Sequence, residues 1–337
     1  MANIWSRNVK SYLEFEATPG SLPAGGPDKH PTDWGFKLMP RISKSEIRAV
    51  GNLYPSGFQS GLEWVDVEAV GGAGASPAVS FQSINYVLEM LCGTATPSER
   101  GTGAWERTYN IGGTPRSASL DYGDPNIHVI RALYGFLKSM SLSFTLNTAT
   151  FGAAGFARTI AEGVTPAVSP ADIARKQVNP FKAGVYLSDT YAGLGDFDNP
   201  TGGALELNCV GFNIETGDLS DVFAPILPTN TSWQEPKPLS ATGRANVIIS
   251  AEDAAWDYLT QIRGDSIIYG RYNIIDAELI SSGQPYRFAI DFVGVTPEHF
   301  SIDDQDGLHA LTLPLALIQN TTLTGIRFHN VCEIETL

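Results

Sequence analysis

Residues 244–295 read RANVIISAEDAAWDYLTQIRGDSIIYGRYNIIDAELISSGQPYRFAIDFVGV, and this stretch decides the fold class. Arg244 to Ile249 is apolar and β-branched, which suits a strand. Ser250 stands where a helix N-cap belongs, and Glu252 and Asp253 follow in the first turn, near the positive helix end. Ala255, Trp256, Leu259 and Ile262 recur at helical spacing and form one apolar stripe. Arg263 and Gly264 then supply a helix stop. Two further runs, Tyr272 to Ile280 and Tyr286 to Val293, are separated by Ser281-Ser282-Gly283-Gln284-Pro285. In the second run Tyr286, Phe288, Ile290 and Phe292 share one face, while Arg287, Ala289 and Asp291 share the other. That alternation predicts a half-buried antiparallel hairpin.

The same order of elements occurs earlier. Ser80 precedes a helical run with Ile84, Val87, Leu88 and Leu91 on one face, closed by Gly93. A strand follows with Met140, Leu142, Phe144 and Leu146 on one side and Ser139, Ser141, Ser143 and Thr145 on the other. A turn near Asn147 leads to a small-residue strand, Phe151 to Phe156. The peptide Gly-Val-Thr-Pro closes both hairpins, at Gly163–Pro166 and at Gly294–Pro297. Asn213-Ile214-Glu215-Thr216 is echoed by Glu333-Ile334-Glu335-Thr336 as a final strand. Landmarks that keep their order predict an internal duplication. The first copy is the longer, with its additional residues mostly between 94 and 124, where surface loops are expected.

Composition narrows the function classes. The chain has 337 residues, long enough for two domains of ordinary size. It is 43% hydrophobic and 17% charged, so it can bury a sizeable core. Lys and Arg number 22 against 36 Asp and Glu, a net charge of −14. Such a surface does not hold nucleic acid through phosphate contacts, which need clustered Lys and Arg. The 3 cysteines, Cys92, Cys209 and Cys332, form no CxxC pair, which predicts buried free thiols rather than disulfides or structural zinc. The opening MANIWSRNVKSYLEFE lacks an apolar core of signal-peptide length, and no run approaches a membrane span. The expectation is a protein made in the cytoplasm.

Four segments are expected. Residues 1–57 mix Gly and Pro with isolated aromatics, including Trp5, Trp34 and Phe36, and resemble an arm. It either docks on a neighbouring subunit or covers its own first domain. Residues 58–216 form domain 1. The Pro-rich 217–240 is a connector. Residues 241–337 form domain 2, ending in a strand with Ile326, Phe328, Cys332 and Ile334 on one face and Arg327, His329, Glu333 and Glu335 on the other. The predicted class is mainly β: two tandem β-sandwich or barrel domains, each with one flanking helix.

No catalytic constellation stands out. G-x-S-x-G, the P-loop and H-E-x-x-H are absent. Gly71-Gly72-Ala73-Gly74 opens no helix directly and lacks phosphate-loop spacing. Asp303-Asp304-Gln305-Asp306-Gly307 resembles a calcium loop, but Ile302 and Leu313 fall where oxygen ligands belong. Asp196-Phe197-Asp198-Asn199 is no stronger. The 5 histidines (His30, His128, His299, His309, His329) show no ligand spacing. The pairs Glu14 and Glu16, and Glu333 and Glu335, read as solvated strand faces. No catalytic residue, metal site or cofactor is expected.

Strand, capped helix and the Ser-rich hairpin Lys138 to Phe144 with Phe151 to Ala157, leading to Gly-Val-Thr-Pro, together resemble the tail tube proteins of long-tailed, non-contractile bacteriophages. The second copy, Asp276 to Gly294, is similar, and the duplication resembles the two-domain form from phages of thermophilic bacteria. The likeness covers about residues 58–337; the 1–57 segment departs from one-domain members. It implies a structural virion protein. Six tube domains form a ring whose inner sheets close a β-barrel around a lumen, rings stack, and double-stranded DNA passes. A duplicated subunit would then form trimeric, pseudo-sixfold rings. The implied partners are copies of itself, a tape measure protein, and terminator and tip proteins. No catalytic residues transfer. Ser139, Ser141, Ser143, Arg287 and Asp291 are expected to face the lumen, and Trp5, Trp34 and Phe36 to contact a neighbouring subunit. Two other classes stay open: a monomeric β-sandwich module binding glycans or a cell surface, and a hydrolase with a scattered site.

Overall fold

The computed structural model of the chain describes residues 9–32, 34–47, 57–71, 76–167, 169–198, 205–207, 209–223, 235–239, 242–251, 267–280, 283–296, 301–305 and 308–337. The fold is mainly β, with 59% strand and one helix of seven or more residues among those described. The first half contains β1 (Lys10–Phe15), β2 (Lys29–Pro31), β3 (Trp34–Ile47), β4 (Gly57–Gly71), α1 (Ile84–Cys92), β5 (Ser98–Gly101), β6 (Ala104–Asn110), β7 (Ala118–Asp124), β8 (His128–Phe144), β9 (Ala149–Ala157), β10 (Thr159–Glu162), β11 (Ala171–Ile173), β12 (Ala183–Ser188), β13 (Leu205–Leu207) and β14 (Cys209–Glu215). Next come β15 (Ser220–Phe223), β16 (Glu235–Pro238), β17 (Arg244–Ser250), β18 (Ile267–Leu279), β19 (Pro285–Val295), β20 (Ser301–Gln305), β21 (Leu308–Leu317) and β22 (Ile326–Cys332).

Strand pairing arranges these into two facing layers and a third sheet. The front layer runs β3-β4-β9-β8-β14-β17-β21-β20, all antiparallel. The back layer runs β13-β12-β18-β19-β22-β6-β5, also antiparallel. A short β19–β21 pairing at Gly294–Val295 joins the layers at a corner. The third sheet, β10-β8-β7-β1-β2-β11, closes with a parallel pairing of β2 and β11. The strand β8 belongs to two sheets. Its hinge is Tyr134, at φ 58°, a left-handed conformation that costs a non-glycine residue energy. Buried Glu16 braces the hinge, accepting hydrogen bonds from Tyr134 N at 2.8 Å and Ser119 Oγ at 2.9 Å.

The period-two alternation of the sequence fills the space between the layers. From β8 and β14 come Leu142, Phe144, Phe212 and Ile214; from β18 and β19 come Tyr272, Ile274, Phe288, Ile290 and Phe292, all buried. Phe212 stacks on Tyr272 at 4.6 Å between centroids, and Phe144 meets the same ring at 4.7 Å. Burying each such side chain contributes about 2 kcal/mol or more. The hairpins β8–β9 and β18–β19, read from the sequence as copies, thus face each other across one core.

The helix α1 begins and ends where the sequence expects. Gly93, at φ 95°, returns its N–H to Glu89 O at 3.0 Å; an added Cβ would lie 2.4 Å from Thr114 O. The helix is not a flanking one, however, since all nine of its residues are buried. Its polar residues find partners inside. Asn85 accepts from Tyr109 Oη at 3.1 Å and Asn330 Nδ2 at 2.9 Å, and Glu89 pairs with Arg116. Buried polar groups must be satisfied in this way.

Several expectations need correction. Residues 10–47 are not a detached arm; they supply β1, β2 and β3. Trp34 is 4% exposed and Phe36 0%, and Trp34 meets both Phe36 and Phe151 edge-on in their own chain's core. A neighbouring subunit is therefore not what covers them. Trp5 lies outside the described residues, as do residues 252–263, which carry the expected second helix. The stretch 94–124 holds β5, β6 and β7 rather than surface loops, because β6 pairs with β22 and β7 with β1. The connector 217–240 carries its own ribbon, β15 with β16. Glu333 to Thr336 lies past the end of β22; Arg107 holds this segment by donating to Ile334 O and Glu335 O at 2.5 and 2.6 Å.

Candidate functional site

Two sheet faces point away from the aromatic core, and they differ in chemistry. On the front layer, cross-strand register aligns Thr150, Ser143, Asn213, Asn246 and Pro314 in one row. The next row is Gly152, Ser141, Glu215, Arg244 and Ala316. Ser141 is exposed, and Ser139 and Ser143 are half-buried, while Met140, Leu142 and Phe144 point inward. This is the face the alternation of β8 predicts. Ser143 Oγ donates to Asn213 Oδ1 at 2.6 Å, so the hydroxyls tie neighbouring strands together.

Charges on this face come in opposite pairs. Arg41 Nε donates to Asp66 Oδ2 at 2.8 Å, and Lys138 Nζ to Asp218 Oδ2 at 3.0 Å. Lys37 stands opposite Glu68 in register, and Arg244 opposite Glu215. The result is a hydroxyl-rich wall on which each of these cations has an acidic neighbour.

The back layer's outer face holds the other predicted residues, and here the structure departs from expectation. Arg287 and Asp291 are not lumen candidates on an open face, because residues 189–198 cross over them. Asp291 is 0% exposed. It accepts from Arg271 Nε at 2.6 Å and Nη2 at 2.9 Å, and from Tyr191 Oη at 2.8 Å. Arg327 donates to the same tyrosine oxygen at 2.8 Å, and Arg271 Nη1 donates to Gly195 O at 3.1 Å. Asp198, on the covering segment, takes both Arg100, at 2.5 and 2.6 Å, and Arg287.

His329 sits at the centre. Its Nε2 is 3.5 Å from Asp291 Oδ2, an ion-pair separation without a well-aligned hydrogen bond. Its Nδ1 is 3.1 Å from Thr108 Oγ1 and 3.8 Å from Glu106 Oε1. Phe197 stacks on the imidazole at 5.0 Å and 28°. Burial alone would raise Asp291, but Arg271 and His329 hold its carboxyl well below the usual range. Burial alone would lower His329, but Asp291 and Glu106 outweigh it and leave its pKa raised.

The sequence missed this cluster because its members lie far apart and share no spacing. One signal was legible: within the β18–β19 hairpin, Arg271 and Asp291 fall opposite each other, an oppositely charged pair. Hydroxyl, imidazole and carboxylate here follow the order used in nucleophilic catalysis. Yet the His329 side chain is 11% exposed beneath Phe197, and the Asp291 oxygens are engaged by Arg271 and Tyr191. The cluster is built to hold the covering segment.

Elsewhere, a pocket of about 430 Å³ is lined by Lys10, Tyr12, Pro125, Asn126, Thr165 and Pro166, among others, and bears no nucleophile–base pair. Among the described residues no group of three or more His, Cys, Asp or Glu side chains is placed to hold a metal. No helix among them is long and apolar enough to cross a membrane. Cys92 and Cys332 are buried free thiols and Cys209 is half-buried. No protein-family model matches the chain, and no curated protein matches it in sequence.

Proposed function

We propose that this chain is a structural subunit that assembles with copies of itself into rings and a tube, the tail tube of a long-tailed bacteriophage, with the front layer lining the bore. The observation that carries the proposal is the outer face of that layer. Five adjacent strands, β9 to β21, present small, hydroxyl and amide side chains in register. Lys and Arg there sit beside carboxylates, so a passing phosphate backbone meets no cluster of free positive charge. Contacts stay weak and salt-screened, which suits a conduit rather than a binding surface.

Free strand edges supply the means of assembly. Among the described residues β3 pairs on one side only, with β4, and β10 pairs only with β8. Unpaired edges favour addition of another chain, and ring closure removes them. The front layer also draws strands from both halves of the chain, as two tandem tube domains sharing one inner sheet would. In this reading three subunits give a pseudo-sixfold ring, the protein acts as a wall rather than an enzyme, and its place is the virion tail.

Negative-stain microscopy of the purified, concentrated chain tests this. The expected result is threefold rings stacked into tubes. A chain that stays monomeric at high concentration, with no rings, overturns it and favours a monomeric binding module. Ser141→Arg tests the bore: tubes should still form, while DNA passage slows or stops.

A further inference from the structure

Past the row of Asn246 the outer face of the front layer changes character. On β17, Ala245, Val247 and Ile249 belong to the aromatic core, and on β21 so do Leu311, Leu313 and Leu315. Ile248 and Ala310 alternate with them and therefore point outward, yet both are buried. Val210, at the bulge of β14, is buried with them, and the three form an apolar cluster apart from the core. Arg244 and Asn246, on the same face of β17, are exposed. Outward apolar side chains lose contact with water only where something lies over them.

Where the chain leaves this patch and where it returns identify the cover. The strand β17 ends beside the patch: Ser250 stands opposite Ala310, and Ala251 N donates to His309 O at 3.1 Å. The chain resumes at Ile267, opposite Val295, which itself pairs with Ala316. The intervening residues must therefore pass from one end of β21 to the other. From Ala310 to Ala316 is about 20 Å along a strand. Residues 252–263, where Ala255, Trp256, Leu259 and Ile262 recur at helical spacing, span about 18 Å as a helix. The path is low enough to carry one. The outward residues of β21 are Ala310, Thr312, Pro314 and Ala316, and the last three are half-buried.

We propose that residues 252–263 form a helix docked along β21 on the outer face of the front layer, its apolar stripe seated on Val210, Ile248 and Ala310. The helix roofs that end of the wall and narrows the open surface to the rows carried by β9, β8, β14 and β17. By the same spacing Asp253 and Asp257 fall on the side away from the stripe. Where the front layer lines a bore, which rests on the function proposed above, each copy sets these two carboxylates beside the hydroxyl rows, where they repel a passing phosphate backbone.

Amide hydrogen exchange of the full chain, read by mass spectrometry, tests the docking. Peptides covering residues 252–263 should be protected. Ile248→Ser should speed their exchange at least about tenfold, the lower end for uncovering one buried apolar side chain, while Asn246→Ser leaves it level. The thiol introduced by Ala310→Cys should resist alkylation at pH 8 and react about tenfold faster or more once Leu259→Ser is added. Asp257→Ser should move neither reading. Unprotected amides across 252–263 in the wild type, or exchange unchanged by Ile248→Ser, overturns the proposal. If Ile248→Ser does not fold, the Ala310→Cys thiol decides: equal alkylation with and without Leu259→Ser overturns it, and faster alkylation supports it. Exchange reads the docking whether or not rings form. A protected helix in a chain that forms no rings overturns the tube reading alone, and rings with unprotected 252–263 overturn the docking alone.

Discussion

Replacing Asp291 with Ala should be among the most damaging single changes outside the aromatic core. The carboxylate accepts three hydrogen bonds, from Arg271 Nε, Arg271 Nη2 and Tyr191 Oη, at 2.6, 2.9 and 2.8 Å. Its removal leaves the Arg271 guanidinium, in a residue only 3% exposed, with backbone carbonyls as its nearest acceptors. Breaking a buried pair from one side costs about 3–5 kcal/mol, because the surviving charge is uncompensated. The lower end, about 3 kcal/mol, fits here, since the segment carrying Tyr191 and Gly195 can shift to admit water. Replacing both partners, as Arg271→Met with Asp291→Leu, should recover most of the loss. Urea unfolding followed by tryptophan fluorescence at pH 7 measures both. The reasoning is refuted if Asp291→Ala loses less than about 1 kcal/mol, or if the double variant is as unstable as the single. Acid supplies a further check. Asp291 is lowered in the folded state, so its stabilisation is present above the unfolded value of about 3.9 and lost as pH falls through the folded one. The gap between wild type and Asp291→Asn should therefore hold steady from pH 6 to 5 and close only in strong acid.

Trp34→Ala should cost about 3–5 kcal/mol by thermal or urea unfolding, and deletion of residues 1–40 should abolish folding, because Trp34 and Phe36 are core residues. Retention of a native circular dichroism spectrum by the deletion would contradict that. Gly155→Ala should destabilise by about 1–3 kcal/mol, since the new Cβ would lie 1.9 Å from Phe136 O and 2.7 Å from Leu137 Cα, both backbone atoms. Gly152→Ala, whose Cβ meets only the Ser141 side-chain hydroxyl at 2.9 Å on an exposed residue, is the mild control. Burial pushes the Cys92 thiol up to about 12 and Cys332 to about 11. Alkylation at pH 8 should leave both untouched in the native protein and modify both in urea, as mass spectrometry will report.

Local pattern made much of this fold legible. The alternation of Met140, Leu142 and Phe144 with Ser139, Ser141 and Ser143 reports which face of β8 is buried, because a strand's side chains alternate strictly. The β18–β19 hairpin and the Gly93 helix stop follow from equally local rules. What stayed hidden depends on sheet order. Arg287 and Asp291 alternate with the core as clearly as the serines do, yet a segment about a hundred residues earlier in the chain covers them. Trp34 and Phe36 looked unprotected because Phe151, the ring that meets Trp34 at 5.3 Å, is remote in sequence. The strands β5 to β7 looked like an insertion because their partners, β22 and β1, lie near opposite ends of the chain. Periodicity reports a strand and its inner face; it does not report what lies over the other face.

The Asn85–Asn330 hydrogen bond inside the α1 pocket sets a clock on biosynthesis. The two residues are 245 apart in sequence. At about 5–20 residues per second, a ribosome delivers Asn330 roughly 12 to 50 s after Asn85. Throughout that interval α1 can pack on β6 and β8, and Asn85 can take the Tyr109 hydroxyl, but the Asn330 amide is still missing. The early half therefore waits with its one buried helix short of the Asn330 hydrogen bond. Slowing translation downstream of β9 should lower the yield of folded protein more than slowing it upstream.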